Sequence, residues 1–197
     1  MLGIAVFGNA MKKNSSSIYL DYAAQTPLDG EVLRMMQPYF SSTYGNPSSL
    51  HTSGRRAHHA LEDARARVAN SIGAHSDEII FTGSGTESDN LALIGAARAN
   101  RAKGRHVLIS AIEHKAIIES ARVLEGEGFE VTRIPVDSEG IVNVHELCTL
   151  VRDDTILVSI MLANNEIGSI LPIANARNKP PSNLKNSALN VCGFRKL

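Results

Sequence analysis

The sequence predicts an α/β fold in three layers: a largely parallel sheet with helices on both faces. Three observations carry that expectation. Short apolar runs at 79–82, 106–110, 129–134 and 155–160 have the length of buried strands. The stretches between them, at 87–100, 114–124 and 144–151, read as helices. Glycines punctuate the joints. Strands alternating with helices imply right-handed crossovers and a sheet covered on both sides.

Each element has its own warrant. Ile18-Tyr19-Leu20 is a short apolar run closed by Asp21, and 25–30 reads as a turn. Residues 31–40 place Val32, Met35, Met36 and Tyr39 at helical spacing. Tyr44 to Ser49 is a loop, with Pro47 pushing Asn46 out of the helical region. A longer helix is expected over 55–72, with Ala57, Ala60, Leu61, Ala64, Val68 and Ile72 on one stripe and Gly73 ending it. The helix over 87–100 is expected to turn Leu91, Ile94 and Gly95 inward, and the helix over 114–124 closes at Gly126 and Gly128. The 155–160 run is apolar nearly throughout. The organisation expected is an N-terminal extension over 1–17, an α/β domain over 18–174, and a tail over 175–197. That tail has no clear period and contains Pro180-Pro181, so it reads as foreign to the fold, the product of a frameshift or a truncation. The first ten residues are apolar and precede Lys12-Lys13, the reverse of a signal peptide, and read as an alternative start or an extension.

Composition narrows the function classes. Of 197 residues, 43% are hydrophobic, and 20 basic side chains balance 20 acidic ones. Zero net charge gives no electrostatic ground to expect nucleic acid or an anionic membrane. No apolar run is long enough to span a bilayer. Two cysteines, Cys148 and Cys192, make neither a disulfide framework nor a metal signature, which points to the cytoplasm and to no metal.

In parallel sheets, ligands bind beyond the carboxyl ends of the strands. Three polar constellations fall there. Residues 82–90, TGSGTESDN, form a glycine turn leading into a helix, where free amides and the positive end of the helix dipole suit a phosphate. The bland alternative is a capping turn, with Thr86 as the cap and Asp89 as its partner. Glu113-His114-Lys115 follows the 106–110 strand, and a histidine there can stack on a flat ring or move a proton; taken alone, it reads more readily as a solvent-exposed residue at a helix start. Asn164-Asn165-Glu166-Ile167-Gly168 follows the last strand, to hydrogen-bond a polar ligand or to make an Asx-turn. Three such clusters at successive strand ends converge on one site.

These segments, with Tyr19 to Ala24 and Tyr44 to Ser49, resemble the cysteine desulfurases of the class V aminotransferase family, over residues 18 to about 174. Glu-His-Lys is similar to the housekeeping and nitrogen-fixation type. The resemblance implies the large domain of a fold type I enzyme dependent on pyridoxal 5′-phosphate (PLP), present in part. It implies that Gly85 and Thr86 hold the phosphate, that His114 stacks on the ring and takes part in proton transfer, and that Asn165 contacts the hydroxyl side. Asn46 matches a loop asparagine at the entrance. It further implies L-cysteine as substrate, persulfide and alanine as products, a homodimer, and an iron–sulfur scaffold protein as partner. The family's Schiff-base lysine, the aspartate at the pyridine nitrogen and the mobile cysteine have no counterpart among these residues, and neither Cys148, Cys192 nor Lys115 replaces them. The expectation is therefore a fragment inactive alone, against a split enzyme, another class V aminotransferase or lyase, or a PLP-binding or dimerising module.

Overall fold

The computed structural model describes residues 18–22 and 24–174. The expectations for 1–17 and 175–197 lie outside them.

Asp29 starts the first helix, α1 (Gly30–Ser41), by accepting from the Glu31 amide at 2.7 Å and the Val32 amide at 3.2 Å. Its spacing is helical as predicted, yet it buries none of its residues. A second helix, α2 (Thr52–Ile72), begins at His51, whose Nδ1 accepts from the Gly54 amide. It stops at Gly73 in the left-handed conformation, φ 65°, which glycine adopts without a Cβ clash. Its inner face differs from the predicted stripe. Gly54 and Ala69 are the buried positions, and Val68 is 40% exposed.

The expected first strand, 79–82, does not form. Those residues pair with no strand, and Ile80 and Phe81 are 67% and 46% exposed. A strand exists only through its ladder partner, and none lies beside this run among the described residues. Arg65 of α2 holds it instead, donating to the Ile79 carbonyl at 2.5 Å and lying 5.0 Å over the Phe81 ring.

The rest follows the predicted alternation: α3 (Gly85–Ala99), β1 (His106–Ser110), α4 (Lys115–Gly126), β2 (Glu130–Ile134), α5 (Val144–Leu150) and β3 (Thr155–Ser159). The sheet has three strands in the order β2-β1-β3, all parallel. Expected as four-stranded, it is one strand narrower for the reason just given. Alternation along β1 sorts the core into two halves. Val107 and Ile109 pack with Leu93 and Ala97 of α3 and Ile117, Ala121 and Leu124 of α4. Leu108 faces the other way, toward Leu147 of α5, Val158, Ile160 and Leu171. Helices thus cover both faces, giving the three layers predicted.

On α3 the buried positions are Leu93 and Ala97, not Leu91, which is 48% exposed, nor Gly95. The helix is set on this stripe by its neighbour. Asn90, one turn before Leu93 and Ile94, accepts from Ser120 of α4 at 2.9 Å.

At the amino end of the sheet, His106 links all three strands. Its Nδ1 lies 2.7 Å from the Thr155 hydroxyl on β3 and its Nε2 lies 2.9 Å from the Thr132 hydroxyl on β2. Burial holds the imidazole below its usual pKa, and the nearby Arg152 guanidinium adds to the effect.

Candidate functional site

The carboxyl ends of β1 and β3 lie on one side, because the strands are parallel. The start of α3 joins them there. Ser84 caps α3, its hydroxyl accepting from the Glu87 amide at 3.2 Å, while the Glu87 carboxylate accepts from the Gly83 amide at 2.7 Å. The capping pair is therefore Ser84 with Glu87, two residues ahead of the expected Thr86 with Asp89. The shift has a consequence. Gly85 and Thr86 become the first two helical residues, whose amides have no intrahelical carbonyl to bond. Both are exposed, and a Cβ placed on Gly85 would meet nothing within 4 Å.

His114 caps α4 and is exposed. The Ala116 amide donates to its Nδ1 at 3.1 Å, so the neutral ring carries its proton on Nε2. Asp89, half-buried on the turn after Thr86, has its carboxyl raised above the usual range by burial, and His114 opposes that shift.

Asn165 sits at the tip of a tight loop after β3. The Asx-turn considered from sequence belongs to its neighbour: Asn164 Oδ1 accepts from the Glu166 amide at 2.8 Å and the Ile167 amide at 3.0 Å. Gly168, at φ 74°, closes the loop by donating its amide to the Asn164 carbonyl at 2.9 Å. Asn165 is left exposed, with its side chain 3.1 Å from Glu166. Asn46 folds back to accept from the Ser48 amide at 2.9 Å in an Asx-turn.

Two residues went unassigned in the sequence, Glu113 and Asn164. Each is 8% exposed, and each immediately precedes an exposed candidate. Glu113 Oε1 accepts from the Met161 amide at 2.8 Å, and Asn164 Nδ2 donates to the Ile112 carbonyl at 2.9 Å. Burial pushes the Glu113 carboxyl up to about 7, against the lowering effect of the Met161 amide. The available signal was a carboxylate placed directly after a buried strand, where it must find partners.

Residues 18–183 match the aminotransferase class-V family. The chain belongs to that family. Within it, the chain is 53% identical over 156 residues to the cysteine desulfurase IscS of Dictyoglomus turgidum, covering 79% of this chain and 40% of that protein. It is 49% identical over 166 residues to the cysteine desulfurase IscS of Methanosarcina thermophila, covering 84% and 41%. Among solved structures, a NifS-like protein superposes with a TM-score of 0.84 at 40% identity, covering 88% of this chain and 48% of that one. The structure described as SspA in complex with cysteine superposes with a TM-score of 0.77 at 36% identity, covering 82% and 47%. The chain spans about two fifths of the length of the curated relatives it matches. In this class V chain no described helix is long and apolar enough to cross a membrane.

The donor set fits a phosphorylated aromatic cofactor. Two unbonded amides at the positive end of a fifteen-residue helix suit a phosphate. The open space at Gly85 would admit it, and the exposed imidazole of His114 and carboxamide of Asn165 are of the types that could offer a flat face and a polar contact.

Proposed function

We propose that this chain provides the PLP-binding part of a cysteine desulfurase, which moves sulfur from L-cysteine to a persulfide and leaves alanine, for iron–sulfur cluster assembly. The observation that carries the reading is the capped start of α3, with the Gly85 and Thr86 amides left unbonded, tied by the Asn90–Ser120 bond to the helix that His114 caps. The relatives named cysteine desulfurase supply the substrate class. Bound PLP would act as the electron sink for chemistry at the amino-acid carbon. The chain's own residues bind and orient it. The Gly85 and Thr86 amides and the Thr86 hydroxyl would hold the phosphate, His114 would stack on the ring and offer the proton at Nε2, and Asn165 would hydrogen-bond a polar group of the cofactor. The same reading carries a homodimer, an iron–sulfur scaffold as sulfur acceptor and a cytoplasmic location.

The test is titration of the 197-residue chain with PLP, followed by absorbance and fluorescence. Binding is expected, and His114→Ala should weaken it about tenfold, in line with loss of one stacking contact. Equal binding by His114→Ala and the unaltered chain would remove the site. A sulfide assay with L-cysteine should not exceed free PLP, with or without Cys148→Ser. Turnover above that level, lost in His114→Ala, would show that these residues alone suffice for catalysis.

A further inference from the structure

The two loops that carry His114 and Asn165 are tied together by the residues immediately before each. Met161, after β3, donates its amide to Glu113; Asn164 donates its side chain to the carbonyl of Ile112, after β1. Each side chain reaches across the same gap to the backbone of the other loop, and both bonds are donated from the β3 side, so neither loop can move away from the other without breaking a buried polar contact. The inner members are buried and the outer members exposed. Glu113 and Asn164 therefore bond protein, while His114 and Asn165 face solvent.

From this geometry we infer that Glu113 is a positioning residue, which with Asn164 sets the separation of His114 and Asn165 and so the width of the cofactor site. The inference rests on the cofactor-binding reading above. A carboxyl is suited to the task because it can accept in either charge state. When ionised it makes a charge-assisted bond to the Met161 amide; when protonated it still offers a carbonyl oxygen. The groups facing it are Asp89 from α3, the His114 amide at the start of α4, and the Ser159 hydroxyl and Met161 amide from β3 and its loop. Asp89 repels its charge and the three donors favour it, and burial dominates, so the carboxyl changes state near neutrality.

The experiment compares the 197-residue chain with Glu113→Gln and Glu113→Ala. Gln keeps an acceptor for Met161 but cannot ionise; Ala removes the acceptor. Two readouts are taken at pH 6 and pH 8: PLP affinity, and hydrogen–deuterium exchange by mass spectrometry without ligand over residues 160–166, corrected for intrinsic exchange. Glu113→Ala is expected to bind PLP about tenfold more weakly and to exchange faster over 160–166, as for loss of one buried acceptor. Glu113→Gln should differ least from the unaltered chain at pH 6, where both folded side chains are neutral, and should exchange more slowly than it at pH 8, where only the native chain carries a buried charge that opening releases to water. Unchanged exchange and affinity in Glu113→Ala overturn the inference. So does a Glu113→Gln chain that matches the native one at both pH values, since the charge would then bear no part of the tie. Should Glu113→Ala fail to fold, the Glu113→Gln comparison decides alone. If the native chain binds no PLP, the function proposed above fails, while the exchange readout still judges the tie between the loops.

Discussion

Burial sets the charge of two residues at opposite ends of the sheet, with opposite signs for stability. Glu113 has its carboxyl raised to about 7 from an ordinary value of 4.5. An acid whose folded pKa is raised costs stability as it ionises, so its contribution falls between about pH 4.5 and about pH 7. Denaturant midpoints measured across that range should decline less in Glu113→Gln than in the native chain. His106 is the converse case. Held neutral below its usual 6.5, it contributes fully above that pH and loses its contribution as the pH falls further. Replacing it by alanine leaves two threonine hydroxyls and a cavity, at a cost of about 2–4 kcal/mol read from urea unfolding. Both residues show where the sequence stops informing. Gly85, Thr86, His114 and Asn165 stand out because they interrupt an apolar–helical rhythm at strand ends. Glu113 and Asn164 lie in the same motifs, but which of two adjacent polar residues turns inward depends on partners 48 and 52 positions away in the chain.

At the scale of elements, the helices and three strands were legible because each carries its own period and its own stop. The boundaries that moved are those set by polar residues. The first turn of α3, Gly85-Thr86-Glu87, has no apolar period, so the cap moved from Thr86 to Ser84. Ser84→Ala should lower stability by about 1 kcal/mol, whereas Thr86→Ala should affect stability little and phosphate binding more. The run 79–82 was misread because a strand depends on a neighbour as well as on composition. Its amides should exchange freely in hydrogen-exchange measurements, while those of β1 should be the slowest in the chain. Protection of 79–82 matching that of β1 would show that it is paired in solution.

Across the whole molecule, apolar surface is unevenly distributed. The half around β1 is packed on both faces, while α1 leaves Met35 and Phe40 66% and 73% exposed, and Ile80 joins them at 67%. The sheet also ends in two outer strands, β2 and β3, not the single open edge expected of four strands. Exposed strand edges and apolar patches favour association. Light scattering should therefore report self-association of the isolated chain at micromolar concentration; a monodisperse sample with one cooperative melt would contradict this. The placing of β1 has another outcome, for the order of events as the chain leaves the ribosome. The middle strand is the first made, and each later strand adds to one flank of it, β2 and then β3. The hydroxyl of Thr132 reaches His106 early, but that of Thr155 emerges 23 residues afterwards. Parallel pairing across a crossover gives no hairpin to close in the meantime. Nascent chains halted before Thr155 should thus remain open to protease around 106–110, and chains released beyond Ser159 should become resistant there in a single step.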